Sequence, residues 1–246
     1  MSGAHGMGLG NRTALVTGGT AGIGLACARL LAGAGASVIV TGRDQRRGER
    51  AAGQLGGDVR FVRADLADIA SVAQLVPLAG EVDILVNNAA SFPGALTVDQ
   101  DIDSFERTFD TNVRGTYFLT AGLVAGMLDR RRGSIVNVTS MVASKGVGGA
   151  STYGASKAAV ESLTRAWAAE FGPYGVRVNS VAPGPTRTEG VQAQWGDVNE
   201  ELGRALPLGR TADPEEIAHA VLFLASPRSS FITGSTLHAD GGGSAI

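Results

Sequence analysis

From Arg12 onward, short Val- and Ile-rich runs alternate with longer stretches of helical spacing, and no other feature limits the fold so sharply. The runs are "TALVTG", "SVIVTG", "VRFVRA", "DILVNNAA", "SIVNVTS" and "VRVNSVAPG", with "STLHADG" near the end. They are continuously apolar rather than alternating, as strands covered on both faces must be. Between them, "GIGLACARLLAGAG" and "STYGASKAAVESLTRAWAAEFG" carry the spacing of helices. Strand and helix in repetition argue for an α/β fold: right-handed crossovers and a mostly parallel, seven-stranded sheet with helices on both faces. Nothing splits the pattern, so residues 11–246 are expected to form a single domain and residues 1–10 a flexible tail. The rhythm breaks once. Residues 186–211, "TRTEGVQAQWGDVNEELGRALPLGRT", are polar and Gly-rich without a strand, and read as an irregular lid over a site.

Composition enters mainly by exclusion. A net charge of -2 supports neither a nucleic-acid nor an anionic-membrane surface. No run approaches 18 apolar residues, and "MSGAHGMGLG" lacks the basic start and apolar run of a secretory signal. A soluble, cytoplasmic protein without nucleic-acid or membrane partners is the default expectation. Arg130–Arg132 read as a solvated helix end. Cys27 sits in an apolar helical pattern as a small buried hydrophobe, and His5, His219 and His238 show no ligand spacing, so no metal site is expected.

The first strand runs into "TGGTAGIG", Thr17 to Gly24, and then a helix. Gly18, Gly22 and Gly24 suit a tight turn, a close backbone approach to a pyrophosphate at a helix N-terminus, and close helix–sheet packing. No G-K-[ST] follows, which disfavours a nucleoside triphosphatase loop. The second strand ends in "VTGRD". A carboxylate there would bind a ribose hydroxyl, but Gly42 holds that place and Arg43, a phosphate partner, follows. NADP(H) is favoured; NAD(H) stays open because a one-residue shift brings Asp44 into play.

Tyr153 and Lys157 in "YGASK" stand one helical turn apart on one face, amid small residues that leave room for ligands. A free phenol, with a pKa near 10, is a poor proton carrier at neutral pH. A neighbouring ammonium favours the phenolate, so the pair reads as a tuned acid/base.

Taken in order, "TGGTAGIG", Asp65 after the third strand, "NNAA" at Asn87 to Ala90, Asn112 in "TNVRG", Ser140 with "YGASK", and "VAPGPTRT" resemble the short-chain dehydrogenase/reductase family. The resemblance spans Thr13 to about Gly243; Ala90 departs from the family's usual Gly. It implies a Rossmann-type doubly wound fold and an oxidoreductase interconverting a small-molecule carbonyl and its alcohol. It implies Ser140, Tyr153, Lys157 and Asn112 as the catalytic set, with Asn112 positioning a water towards Lys157. Cofactor contacts are implied for Gly18, Thr20, Gly22, Ile23, Gly24, Arg43, Asp65, Leu66, Asn87, Ala89, Tyr153, Lys157, Pro183, Gly184 and Thr186. For Asn87 and Asn88, tying neighbouring strands together is the alternative role. Phe92, Val142 and Trp195, with Ser140 and Tyr153, are candidates for the substrate pocket. A homotetramer is implied, with the helix faces of Phe105, Phe109, Trp167 and Phe171 supplying apolar interface surface; Trp167 and Phe171, at helical spacing, read as core or interface rather than site. Two competing readings stay open. One is a 3-oxoacyl-(acyl-carrier-protein) reductase, for which Tyr174 stands where a basic docking residue is usual and Arg130–Arg132 offer another patch. The other is a dinucleotide-binding regulator without turnover.

Overall fold

The structure is a computed structural model that describes residues 8–246. Seven strands, β1 (Thr13–Val16), β2 (Ser37–Gly42), β3 (Val59–Arg63), β4 (Ile84–Asn87), β5 (Gly133–Val138), β6 (Val176–Pro183) and β7 (Thr236–Ala239), form one sheet in the order β3-β2-β1-β4-β5-β6-β7. Every pairing is parallel. The strand order reverses between β1 and β4, which opens a crevice at their carboxyl ends.

Period-two side-chain geometry explains the continuous apolar runs. Ala14, Val16, Val38, Val40, Ile84 and Val86 point to one face, where α1 (Gly22–Gly33) and α9 (Pro214–Ala225) cover them. Leu15, Ile39, Leu85 and Ile135 point to the other, under α3 (Ile69–Ala79), α5 (Thr116–Asp129) and α6 (Ser151–Phe171). β3 is the exception: as an edge strand it leaves Arg60 and Arg63 exposed, and its Phe61 packs on Gly48 of α2 (Gln45–Leu55).

Three expectations need correction, and a fourth lies mostly outside the described residues. The segment 186–211 is not irregular, for it holds α7 (Glu189–Trp195) and α8 (Val198–Arg204). Trp167 and Phe171 are buried in the chain's own core rather than offered to a partner, whereas Phe105 is half-exposed and stacks on Phe109. Residues 1–7 of the expected tail, His5 among them, lie outside the described residues, and Leu9 is already packed in the core. Arg130–Arg132 are not merely solvated. Arg132 pairs with buried Asp83 at 2.7 Å, Arg130 donates to Val82 O at 2.8 Å and Arg131 to Pro173 O at 2.8 Å. Burial works to raise the Asp83 carboxyl, yet the Thr13 N–H and Arg132 hold it below its usual value.

Candidate active site

A cleft of about 610 Å³ lies along the carboxyl edge of the sheet. One wall is the glycine turn. Gly18 has φ +63°, which an L side chain rarely adopts, and a Cβ on Gly24 would stand 2.3 Å from Gly18 O. The turn is held from below: Asn88 Nδ2 donates to Thr17 O at 2.9 Å and to Gly18 O at 3.2 Å. α1 begins here with no side-chain cap and no acidic residue in its first turn. Its first N–H groups and positive dipole end therefore face the cleft, as a pyrophosphate needs. The residues present fit a dinucleotide.

At one end of the cleft, Asp65 turns back on itself, its Oδ1 accepting from Ala67 N at 3.0 Å, beside buried Leu66. Arg43 is exposed on the rim and lines the cleft. Asp44, its rival, caps α2: its Oδ1 accepts from Arg47 N at 2.9 Å, and that bond holds its carboxyl below the usual value. It does not line the cleft.

At the other end, β5 delivers Ser140, whose Oγ caps a 3₁₀ turn, Met141–Ala143. α6 delivers Tyr153 and Lys157. Gly154 between them is needed for packing, since a Cβ there would stand 2.7 Å from Val142 O; this lets the Ser140 turn lie against α6. Ser140 and Tyr153 face the same end of the cleft. Lys157 Nζ lies 5.6 Å from the Tyr153 ring centroid and donates to Val138 O at 2.8 Å. The electrostatics reverse the expected direction. Burial pushes Tyr153 up to about 12, only partly opposed by the nearby Ser140 hydroxyl, and burial pushes Lys157 down to about 8. In the protein alone, Tyr153 is a protonated phenol at neutral pH.

Residues of α7 and α8 line the cleft between these ends. Thr188 caps α7 and packs on Gly22, Glu189 pairs with Arg47, and Gln194 Nε2 donates to Phe92 O at 2.8 Å. Trp195 lies over Gly94, and Phe92 meets Tyr153 edge-on at 6.3 Å.

Of the site residues expected from the sequence, all line this cleft except Asn87 and Asn112. Asn87 takes the alternative role: its Nδ2 donates to Asn137 Oδ1 on β5 at 2.8 Å and to Thr120 Oγ1 at 3.2 Å, below the site. Asn112 is buried one layer behind Tyr153, in a π-helical turn, Asp110–Gly115, between α4 (Ile102–Phe109) and α5. The widened turn aims its amide inward, where it donates to Ser91 O and Ser156 Oγ, each at 2.9 Å, and accepts from Ser91 N at 2.8 Å. Sequence reasoning missed Arg47, Val147, Val191, Asn199 and Leu202 as lining residues, because loops and short helices carry no periodic signal.

Residues 18–244 match the family model described as Enoyl-(Acyl carrier protein) reductase. The chain is 37% identical over 240 residues to 3-oxoacyl-(acyl-carrier-protein) reductase FabG of Vibrio harveyi, covering 96% of this chain and 98% of that protein. It is 38% identical over 247 residues to 2,5-dichloro-2,5-cyclohexadiene-1,4-diol dehydrogenase of Sphingobium indicum, covering 97% and 99%. A solved structure described as a short chain dehydrogenase/reductase family protein superposes with a TM-score of 0.94 at 62% identity, covering 98% of this chain and 100% of that one.

Proposed function

The chain belongs to the short-chain dehydrogenase/reductase family, and on that premise we propose that it reduces a ketone or aldehyde to its alcohol, reversibly, with NADP(H). The convergence of Ser140, Tyr153 and Lys157 on one cleft walled by an uncapped helix N-terminus carries the reading. When bound, the dinucleotide supplies a hydride to the carbonyl carbon or takes one from the alcohol. Ser140 Oγ–H holds the carbonyl oxygen, and the Tyr153 hydroxyl gives that oxygen its proton. Tyr153 holds its proton at neutral pH, as a donor in the reductive direction must, although burial leaves it a weaker acid than a free phenol in the protein alone. By family resemblance the phenol regains its proton by way of Lys157 and a water positioned near Asn112, whose side chain is itself fixed by Ser91 and Ser156. A panel of linear ketones, cyclic ketones and 3-oxoacyl thioesters, followed by loss of reduced-nicotinamide absorbance, tests the reading. A 3-oxoacyl thioester is the narrower substrate favoured by the Vibrio harveyi relative; the Sphingobium indicum relative, named for a cyclic diol, is the reason to carry cyclic compounds.

The cofactor choice rests on Arg43 being free at the rim while Asp44 is engaged as a helix cap. A charge-assisted contact contributes roughly 1.5–3 kcal/mol, on the order of 10–100-fold in affinity. Arg43→Ala should therefore weaken NADPH by that factor and leave NADH nearly unchanged. Gly42→Asp should reverse the preference by repelling the 2′-phosphate. Tighter binding of NADH than NADPH by the wild-type protein would sink this choice.

We further propose a cytoplasmic homotetramer. Phe105, Tyr117 and Phe118 on α4 and α5, and Phe231 before β7, are exposed aromatic residues of the kind interfaces cover. Light scattering at micromolar concentration should give four times the chain mass of 25.0 kDa; a monomeric mass would refute it.

A further inference from the structure

The turn that follows Ser140 is tied to the end of the chain by a lysine with no part in proton transfer. Lys145 Nζ donates to Gly243 O at 2.8 Å and to Ile246 O at 3.3 Å. Its own N–H donates to Met141 O at 3.0 Å, which closes the turn that Ser140 caps. Beyond β7 the chain is folded back by Asp240, whose buried carboxylate accepts from Gly242 N at 3.0 Å and Ser244 N at 2.8 Å.

This folded-back segment touches two walls of the cleft and the segment 205–208 that follows α8. A Cβ on Gly184, which carries the expected nicotinamide contact, would stand 2.8 Å from Asp240 O. Gly243 is packed between Leu206, at the end of the lid, and Met141, beside Ser140; a Cβ there would stand 2.9 Å from Leu206 Cδ2 and 3.0 Å from Met141 Sδ. Leu208 N also donates to Gly241 O at 3.1 Å. Packing brings these parts together, but it does not fix one against another as a directed, charge-assisted bond does. Lys145 makes that bond.

We propose that Lys145 is a positioning residue for the reaction: by clamping the backbone of 243–246 to the Ser140 turn, it sets where Ser140 Oγ stands relative to Tyr153 and Gly184. This rests on Ser140 as the group that holds the substrate oxygen. Small misplacements of a positioned group cost up to about 10²-fold in rate, and a loosened strap produces part of that. Lys145→Met should lower kcat with NADPH and acetoacetyl-coenzyme A on the order of tenfold. Its NADPH affinity, read by fluorescence titration, should stay unchanged, because the glycine turn and Arg43 are not involved. Amide hydrogen exchange should quicken in both 141–146 and 240–246. Lys145→Arg, which keeps the charge and reach, should restore both rate and protection.

Unchanged kcat in Lys145→Met overturns the proposal, as does an equal loss in Met and Arg variants, or exchange that quickens in neither segment. Should Lys145→Met fail to fold, Lys145→Gln, which removes the charge and shortens the reach, reads the same quantities. Ser140→Ala separates the two levels. If it retains wild-type kcat, the reading of Ser140 fails; if it loses turnover while Lys145→Met does not, only the strap fails.

Discussion

Tyr153→Phe is expected to cut carbonyl reduction by about 10²–10⁴-fold, the usual contribution of general acid catalysis. The substitution removes one hydroxyl and leaves the ring to meet Phe92 as before. NADPH affinity should therefore hold, since the glycine turn, Arg43 and Lys157 are untouched. Steady-state rates and a fluorescence titration on the same preparation check both halves. Half of wild-type kcat in this variant would remove Tyr153 from the chemistry. A loss of dinucleotide binding would mean that the change disturbed the cleft rather than the proton donor.

Lys157→Met should instead damage binding and rate together. Its ammonium sits in the cleft, donates to Val138 O, and by family resemblance binds the nicotinamide ribose. Loss of such a charged hydrogen bond costs roughly 1.5–3 kcal/mol, on the order of 10–100-fold in NADPH affinity, with a further loss in kcat from the stranded Tyr153. The pH dependence carries a sign that can be checked. Burial lowers Lys157 from 10.5 to about 8, so the ammonium is present below that pH and is lost as pH rises through it. Wild-type NADPH affinity should fall across this point, whereas the Met variant should show no inflection there. Stability moves the other way. Between about 8 and 10.5 the unfolded chain holds a proton that the folded chain has released, so the contribution of Lys157 to stability rises with pH across that window. Alcohol oxidation needs the phenolate, so its rate should climb with pH, while reduction should not.

The sheet was legible because strands buried on both faces leave runs such as "SVIVTG", which became β2 without a shift. The cleft was legible because its glycines and its Tyr–Lys pair have local reasons for their spacing. Elsewhere the deciding contacts are long-range. α7 and α8 are seven residues each, broken at Gly196, too short for a helical period to emerge from a polar segment. Asn87 and Asn88 differ because adjacent strand residues face opposite ways, and the one-residue register decides which reaches the turn. Trp167 and Phe171 at i and i+4 mark an apolar face, but only the packing says that the core, and not a second copy, covers it. Burial sets the direction in which Tyr153 is shifted, and no spacing of Tyr and Lys reveals burial. The Lys145 bond joins residues 98 apart, with no local signal at either end.

The central claim is that this cleft moves a hydride between a dinucleotide and a carbonyl carbon while Tyr153 moves the proton. Deuterium placed at the transferable position of NADPH tests it most directly. The protein, given that cofactor and the panel of ketones and 3-oxoacyl thioesters, should deliver deuterium to the carbinol carbon of the product, and Tyr153→Phe should deliver almost none. NADPH that binds the wild-type protein yet passes no deuterium to any carbonyl in the panel would contradict the account and leave a dinucleotide-binding regulator in its place.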